Sequence, residues 1–330
     1  MDSPPLRWGI IGCGDVCEAK SGPGLQKAQR SELVAVMRRR GDKAADYARR
    51  HGVMRWYDDA DALIADPNVE AVYIATPPDS HLDYTRRAAL AGKPVYVEKP
   101  MARTAEECRD MVASCRGNGV PLFVAYYRRQ LPTFLKAEEL LRDGAIGELR
   151  FVSLRLFGSA SEADMTPGAT PWRVQPEIAG KGGYFHDLGC HQLDLLDYLL
   201  GPIDDVSGYG LNQAGLYGCD DTVSASWRHA SGVMGSGLWN FVAYEGSRME
   251  AIDIVGTDGR LRTCAFDLER PLLLERAGAG PKPIHCPVPE HVQQPLIQTV
   301  VDAIADRGEC PSTGDSALRT AEVMDRILTG

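Results

Sequence analysis

Lys99, Asp187 and His191 are residues of this chain whose types and settings could move a proton. Taking a proton from a reacting hydroxyl requires a base within hydrogen-bond reach. Lys99 closes the apolar run Val95-Tyr96-Val97. A lysine there would sit at the carboxyl edge of a buried parallel strand, where ligands bind in such sheets, and desolvation would favour its neutral amine. Pro100 biases Lys99 toward an extended backbone. Asp187 and His191 are four residues apart, so on a helix they share a face. His191 could hydrogen-bond a reacting oxygen or relay its proton, while Asp187 orients the substrate or balances Lys99. Adjacent His186 and Asp187 point to different helical faces, so at most two of these side chains converge with His191, too few for zinc. No metal is expected.

A second constellation follows the first apolar run. Gly12-Cys13-Gly14 comes directly after Trp8–Ile11, in the strand–turn–helix setting that dinucleotide binding requires. Gly12 permits the tight turn, and Gly14 lets backbone approach a pyrophosphate. Asp15 and Val16 complete the expected cradle. The third glycine of the fingerprint is replaced by Cys17, and Ser21-Gly22-Pro23-Gly24 interrupts the expected first helix. The second apolar run ends Val36-Met37-Arg38-Arg39-Arg40, with no acid before Asp42. An acid there would hold a ribose 2′-hydroxyl. Arg38 or Arg39 instead suits a 2′-phosphate, so NADP(H) is expected in preference to NAD(H).

The elements that position these residues are legible as texture. Trp8–Ile11, Leu33–Met37, Ala71–Ala75, Val95–Val97 and Leu122–Ala125 read as buried parallel strands. Helical patterns lie between them: Lys43–Arg50 with Asp42 as a candidate N-cap, a segment starting at Asp79 or Ser80, and Ala105–Arg116 capped by Thr104. Alternation of this kind predicts a doubly wound sheet over residues 1–125. Residues 126–330 are expected to form an α+β domain with a largely antiparallel open sheet. Its strands are expected at Glu148–Phe157, Val206–Leu216, Thr222–His229, Val233–Val242, Arg248–Val255 and Arg260–Phe266. One helix is expected near Tyr184–Leu200, and Val292–Asp306 and Ser316–Leu328 read as closing helices. The segment Gly158–Gly182 is long enough to be a functional loop.

Composition narrows the class. A net charge of −9 argues against a nucleic-acid binder. No apolar run reaches the roughly 20 residues that span a bilayer. The start, Met1-Asp2-Ser3-Pro4-Pro5, does not read as a signal peptide. Nine cysteines without a Cys-x-x-Cys pair suit reduced thiols. A cytoplasmic protein is expected.

Several motifs together resemble the Gfo/Idh/MocA family of NAD(P)-dependent oxidoreductases: Ile74-Ala75-Thr76-Pro77-Pro78-Asp79-Ser80-His81, Glu98-Lys99-Pro100, Val124–Arg129 and Gly182–Asp194 with its Asp-x-x-x-His pattern. The resemblance covers nearly the whole chain in order. It implies a Rossmann domain followed by an open-faced sheet that pairs subunits, here as a homodimer or homotetramer. It also implies oxidation of a ring or chain hydroxyl of a sugar- or polyol-like substrate, or the reverse. Thr76, Pro77, His81, Glu98 and Lys99 would then lie beside the cofactor. Tyr127, Arg129, Trp172 and Arg173 are weaker substrate-pocket candidates, and Tyr127 stands where the family often carries Asn. The competing reading is a nucleotide-sensing regulator without turnover; a metal hydrolase is disfavoured by ligand geometry.

Overall fold

Apolar runs too short for helices form the strands of the first of two units: β1 (Leu6–Ile11), β2 (Ser31–Met37), β3 (Arg55–Tyr57), β4 (Ala71–Ile74), β5 (Val95–Val97) and β6 (Leu122–Val124). The structure is a computed structural model and describes residues 4–166 and 171–330. The six strands are all parallel, in the order β3-β2-β1-β4-β5-β6. Strand order reverses between β1 and β4. The loops after these two strands, Gly12–Gly14 and Ala75–Pro77, therefore lie at the switch point where such sheets hold ligands.

Helices α1 (Asp15–Ala19), α2 (Ser21–Lys27), α3 (Gly41–His51), α4 (Ala60–Ala65), α5 (His81–Leu90) and α6 (Ala105–Gly117) connect the strands. Thr104 Oγ1 accepts the Glu107 N–H at 3.2 Å, the cap expected of it. Asp42 does not cap α3; it lies inside the first turn and pairs with Arg40 at 2.8 Å. The glycines of Ser21-Gly22-Pro23-Gly24 lie in the first turn of α2 and serve packing. A Cβ on Gly22 would sit 2.2 Å from the Tyr47 hydroxyl and 2.3 Å from the Cys17 carbonyl.

The second unit comprises Arg128–Val288 and Arg319–Gly330. It holds α7 (Pro132–Arg142), α8 (Glu162–Met165), α9 (Pro176–Ala179), a π-helical turn (Phe185–Gly189) and α10 (Cys190–Leu200). Its strands are β7 (Leu149–Phe157), β8 (Ile203–Leu211), β9 (Thr222–His229), β10 (Met234–Asn240), β11 (Met249–Gly256), β12 (Gly259–Thr263), β13 (Leu272–Arg276) and β14 (Lys282–Ile284). They form one sheet, β14-β13-β12-β11-β7-β10-β9-β8, antiparallel except where β7 meets β10. Alternation along β9 and β10 buries Val223, Trp227 and Trp239 on one face. The other face leaves Met234, Leu238 and, across the pairing, Phe151 exposed.

Helix α7 and strands β13 and β14 were not anticipated. Nor was the destination of the chain's end. The expected boundary at residue 125 falls at Tyr127, and Pro289–Leu318 returns to the first unit. Helix α11 (Gln294–Ile304) packs on α2, where a Cβ on Gly24 would meet Ile297 Cδ1 at 2.8 Å. Ser312 Oγ donates to the Val124 carbonyl at 2.7 Å. Helix α12 (Gly314–Thr329) begins there. Of the Gly158–Gly182 loop, residues 167–170 lie outside the described residues, as do residues 1–3.

Candidate active site

The turn after β1 is fixed from two sides. Gly12 has φ +91°, and a Cβ there would stand 2.7 Å from Thr76 Cγ2 and 3.0 Å from Thr76 N, so no other residue fits. Gly12 and Cys13 both donate their N–H to the Met37 carbonyl, at 2.9 and 3.3 Å. At Gly14 the situation is opposite: an added Cβ would meet nothing closer than the Gly12 carbonyl at 3.9 Å. That opening, at the start of α1, is a cradle into which a pyrophosphate fits. Cys17, in the third-glycine position, is fully buried, and so is Cys13, whose thiol burial pushes up to about 11. Both act as small packing groups. Asp15 is exposed and Val16 half-buried. Glu18 takes both Arg50 Nη groups (2.7 and 2.8 Å) and His51 (2.8 Å), bracing α1 on α3. Arg38 and Arg39 are exposed and make no ion pair among the described residues, whereas Arg40 is held by Asp42.

On the other side of the switch point, Thr76 Oγ1 accepts the Ser80 hydroxyl at 2.8 Å, and Pro77 leads into a short 3-10 turn. His81 is fully buried. Its Nδ1 faces the Pro100 and Met101 carbonyls (3.2 and 3.1 Å), and its Nε2 faces that of Thr76 (2.8 Å). His81, expected beside the cofactor, faces backbone carbonyls with both ring nitrogens and ties the Thr76 turn to the segment after Lys99. Burial holds its pKa below the ordinary imidazole value. Glu98 is similarly committed. Its Oε1 accepts from the Tyr73 hydroxyl (2.6 Å) and the Gln293 amide (2.7 Å), and its Oε2 from the Lys99 N–H (3.1 Å). It supports Lys99 rather than facing outward. Lys99 itself is half-buried at the carboxyl end of β5 and precedes a cis peptide bond to Pro100. Tyr127 is buried where the first unit ends.

The second unit positions the remaining residues. Asp187 lies in the π turn and His191 in the first turn of α10, both buried. The expected uninterrupted helix is therefore a π turn running into an α-helix, an arrangement frequent at functional sites. A Cβ on Gly189 would strike the Phe185 ring at 2.6 Å, so small size is required there. Asp187 Oδ2 accepts Arg173 Nε at 2.7 Å, and the Arg173 guanidinium lies 4.5 Å from the Trp172 ring centroid. Tyr184 donates its hydroxyl to Asp164 at 2.7 Å, attaching α8 of the long loop to this turn. A cavity of about 510 Å³ opens beside the residues after Arg173, lined by Gln175, Glu177 and Tyr217 among others. His186 faces the Ala179 carbonyl at 3.0 Å instead of joining His191. Among the described residues no group of three or more His, Cys, Asp or Glu side chains is arranged for a metal ion.

Arg129, expected beside the substrate, pairs with acids of its own unit. It is buried, with Nε and Nη2 on the Asp194 carboxylate (2.9 and 2.7 Å) and Nη2 also on Asp197 (3.2 Å). Arg319 of α12 grips Asp197 at 2.9 and 2.7 Å. This four-charge network, one turn beyond His191, anchors α10 and gives Arg129 a structural task.

Two neighbourhoods beside the candidate residues escaped the sequence reading. Gln293, beside Glu98, was hidden at the head of a helix read only for its apolar stripe. Phe266 lies 6.0 Å from the His191 ring, edge to face, with the Arg128 guanidinium 4.7 Å from its centroid. Its loop is clamped by Glu250, which accepts the Ala265 and Phe266 N–H groups (2.6 and 3.0 Å) and the Gln192 amide (3.1 Å).

The chain is similar to known proteins over nearly its whole length. Residues 6–126 match the family described as oxidoreductase family, NAD-binding Rossmann fold, and residues 134–262 match the GFO/IDH/MocA C-terminal domain. The chain is 38% identical over 320 residues to Oxidoreductase P35 of Formosa agariphila, covering 97% of each. It is 27% identical over 318 residues to the 1,5-anhydro-D-fructose reductase of Ensifer adhaerens, covering 94% of this chain and 92% of that one. The WlbA dehydrogenase of Bordetella pertussis, solved with NADH and UDP-GlcNAcA, superimposes with a TM-score of 0.86 at 25% identity, covering 99% of this chain and 95% of that one.

Proposed function

The chain belongs to the GFO/IDH/MocA oxidoreductase family, and from that premise we propose that it oxidises a carbinol of a sugar or polyol, or reduces the corresponding carbonyl, with Lys99 carrying the proton. A nicotinamide dinucleotide, when bound, takes up or returns the hydride. One observation carries the reading: Lys99 stands at the carboxyl edge of the same parallel sheet as the Gly12–Gly14 cradle, with its backbone held by Glu98. Gly12, Cys13 and Gly14 hold the pyrophosphate through backbone, with Asp15 and Val16 alongside. Thr76 and Pro77 line the approach to the nicotinamide.

His191 hydrogen-bonds the substrate or relays its proton. Asp187 fixes Arg173, and Trp172 with Arg173 offers a ring and a cation to the sugar; Tyr127 is the further contact. The names of the reductase from Ensifer adhaerens and of the sugar-nucleotide complex from Bordetella pertussis support a carbohydrate substrate. Arg38 and Arg39, uncommitted to any acid among the described residues, favour NADP(H) over NAD(H). We place the protein in the cytoplasm, where its nine free cysteines, eight of them buried, would stay reduced. Among the described residues no helix is long and apolar enough to cross a membrane. The exposed Phe151, Met234, Leu238 and Tyr209 of the second sheet are proposed to be covered by further copies of the chain, as a dimer or tetramer; sedimentation at micromolar concentration tests that.

The functional test is direct. Purified protein with NAD⁺ or NADP⁺ is offered D-glucose, levoglucosan, myo-inositol, 1,5-anhydro-D-glucitol and D-sorbitol, and reduced nicotinamide is followed by absorbance. Turnover with a member of the panel is the expected result. Tight cofactor binding without turnover on any of these, or on the corresponding ketoses with reduced cofactor, would point to a sensor instead.

A further inference from the structure

We propose that Gln293 is a positioning residue for Lys99, acting through the buried Glu98 carboxylate. The inference rests on the reading that Lys99 transfers the proton. Glu98 is 6% exposed and Gln293 1%. The carboxylate makes no ion pair among the described residues; three neutral donors answer it, the Tyr73 hydroxyl, the Gln293 amide and the Lys99 N–H. A buried carboxylate without a cation depends on each donor it has. One of the three is the backbone of the residue whose amine must be aimed, so any rotation of the carboxylate is passed directly to Lys99.

Gln293 is itself held from two directions. Its Oε1 accepts the Tyr96 hydroxyl at 3.4 Å, and its backbone forms the N-terminal boundary of α11. The strap that carries it lies over the helices following the dinucleotide turn. His291 Nδ1 bonds the Ala19 carbonyl (2.9 Å), Lys27 pairs with Glu290 (3.0 Å), and Gly24 abuts Gln294 and Ile297. The same segment therefore touches the elements that set the cofactor cradle and the carboxylate that sets Lys99. It gives a physical reason for a distant piece of sequence to rejoin the first unit.

The test compares wild type with Gln293→Met, which keeps side-chain length and removes the amide. Hydrogen exchange is read at the Lys99 amide, and turnover on the best substrate of the panel above is read alongside the NADH dissociation constant. The expected result is at least tenfold faster exchange at Lys99 with β1 and β4 amides unchanged, kcat lowered about tenfold, and NADH binding within twofold. Unchanged Lys99 exchange, or acceleration spread evenly through the unit, would overturn the proposal. Should Gln293→Met not fold, Gln293→Asn, which keeps the amide but withdraws it by one methylene, carries the same readouts. Lys99→Met separates the two ideas: if it keeps turnover, the reading of Lys99 fails, while the exchange result still decides whether Gln293 holds the Glu98–Lys99 turn.

Discussion

Replacing Arg129 by methionine should destabilise the second unit by about 3–5 kcal/mol, the cost of breaking a buried pair and leaving its partner uncompensated. The structure supports the upper part of that range. Arg129 supplies two of the close contacts to Asp194, which is almost completely buried and would retain only the Thr320 hydroxyl at 3.5 Å. Asp197 is less affected, because Arg319 still holds it in a two-pronged grip. Burial already raises the Asp194 pKa against the pull of Arg129, so without that guanidinium the acid would take up a proton more readily. For a unit of this size the loss corresponds to a fall of about 10 °C in melting temperature. Differential scanning calorimetry of Arg129→Met measures it. The double variant Arg129→Met/Asp194→Leu should recover part of the loss, since removing both partners costs less than removing one. A single variant within about 1 kcal/mol of wild type, or a double variant no better than the single, would refute the assignment of Arg129 to structure.

Acid sensitivity and cofactor choice provide two further tests. Burial is the leading cause that lowers the pKa of His81, His186 and His229 from the ordinary 6.5. Unfolding lets each bind a proton that the folded form resists, so stability is fully present above about pH 6.5 and falls as pH drops, with a limiting slope of about 4 kcal/mol per pH unit; urea midpoints that stay flat between pH 6.5 and 5 would contradict this. Arg38→Ala with Arg39→Ala should weaken NADPH binding at least tenfold and NADH less than threefold, read by nicotinamide fluorescence titration; equal losses, or tighter NADH binding in wild type, would remove the 2′-phosphate contact.

How far the sequence could be read depended on the range of the interactions involved. The β1 turn, the Thr104 cap and five of the six parallel strands are local consequences of glycine, threonine and short apolar runs, and each was legible; the three-residue β3 was not. The acid partners of Arg129 were not legible because they lie 65 and 68 residues away, and a cation next to a motif looks the same whether it meets a ligand or a buried acid. The contacts of His81 and Glu98 were not legible, since carbonyls and an amide that engage them come from remote segments. The return of Pro289–Leu318 to the first unit had no local signal beyond an apolar stripe, which any partner could cover. Gly22 and Gly24 looked like a broken helix because the crowding that requires them comes from Tyr47 and Ile297.

Lys99→Met decides the central claim most directly. Purified and shown to bind NADH within a few-fold of wild type, the variant should lose at least a thousandfold in kcat on whichever sugar or polyol the wild type oxidises, the scale expected when a general base is removed. Turnover within tenfold of wild type would contradict the account, whatever else of the fold and cofactor cradle stands.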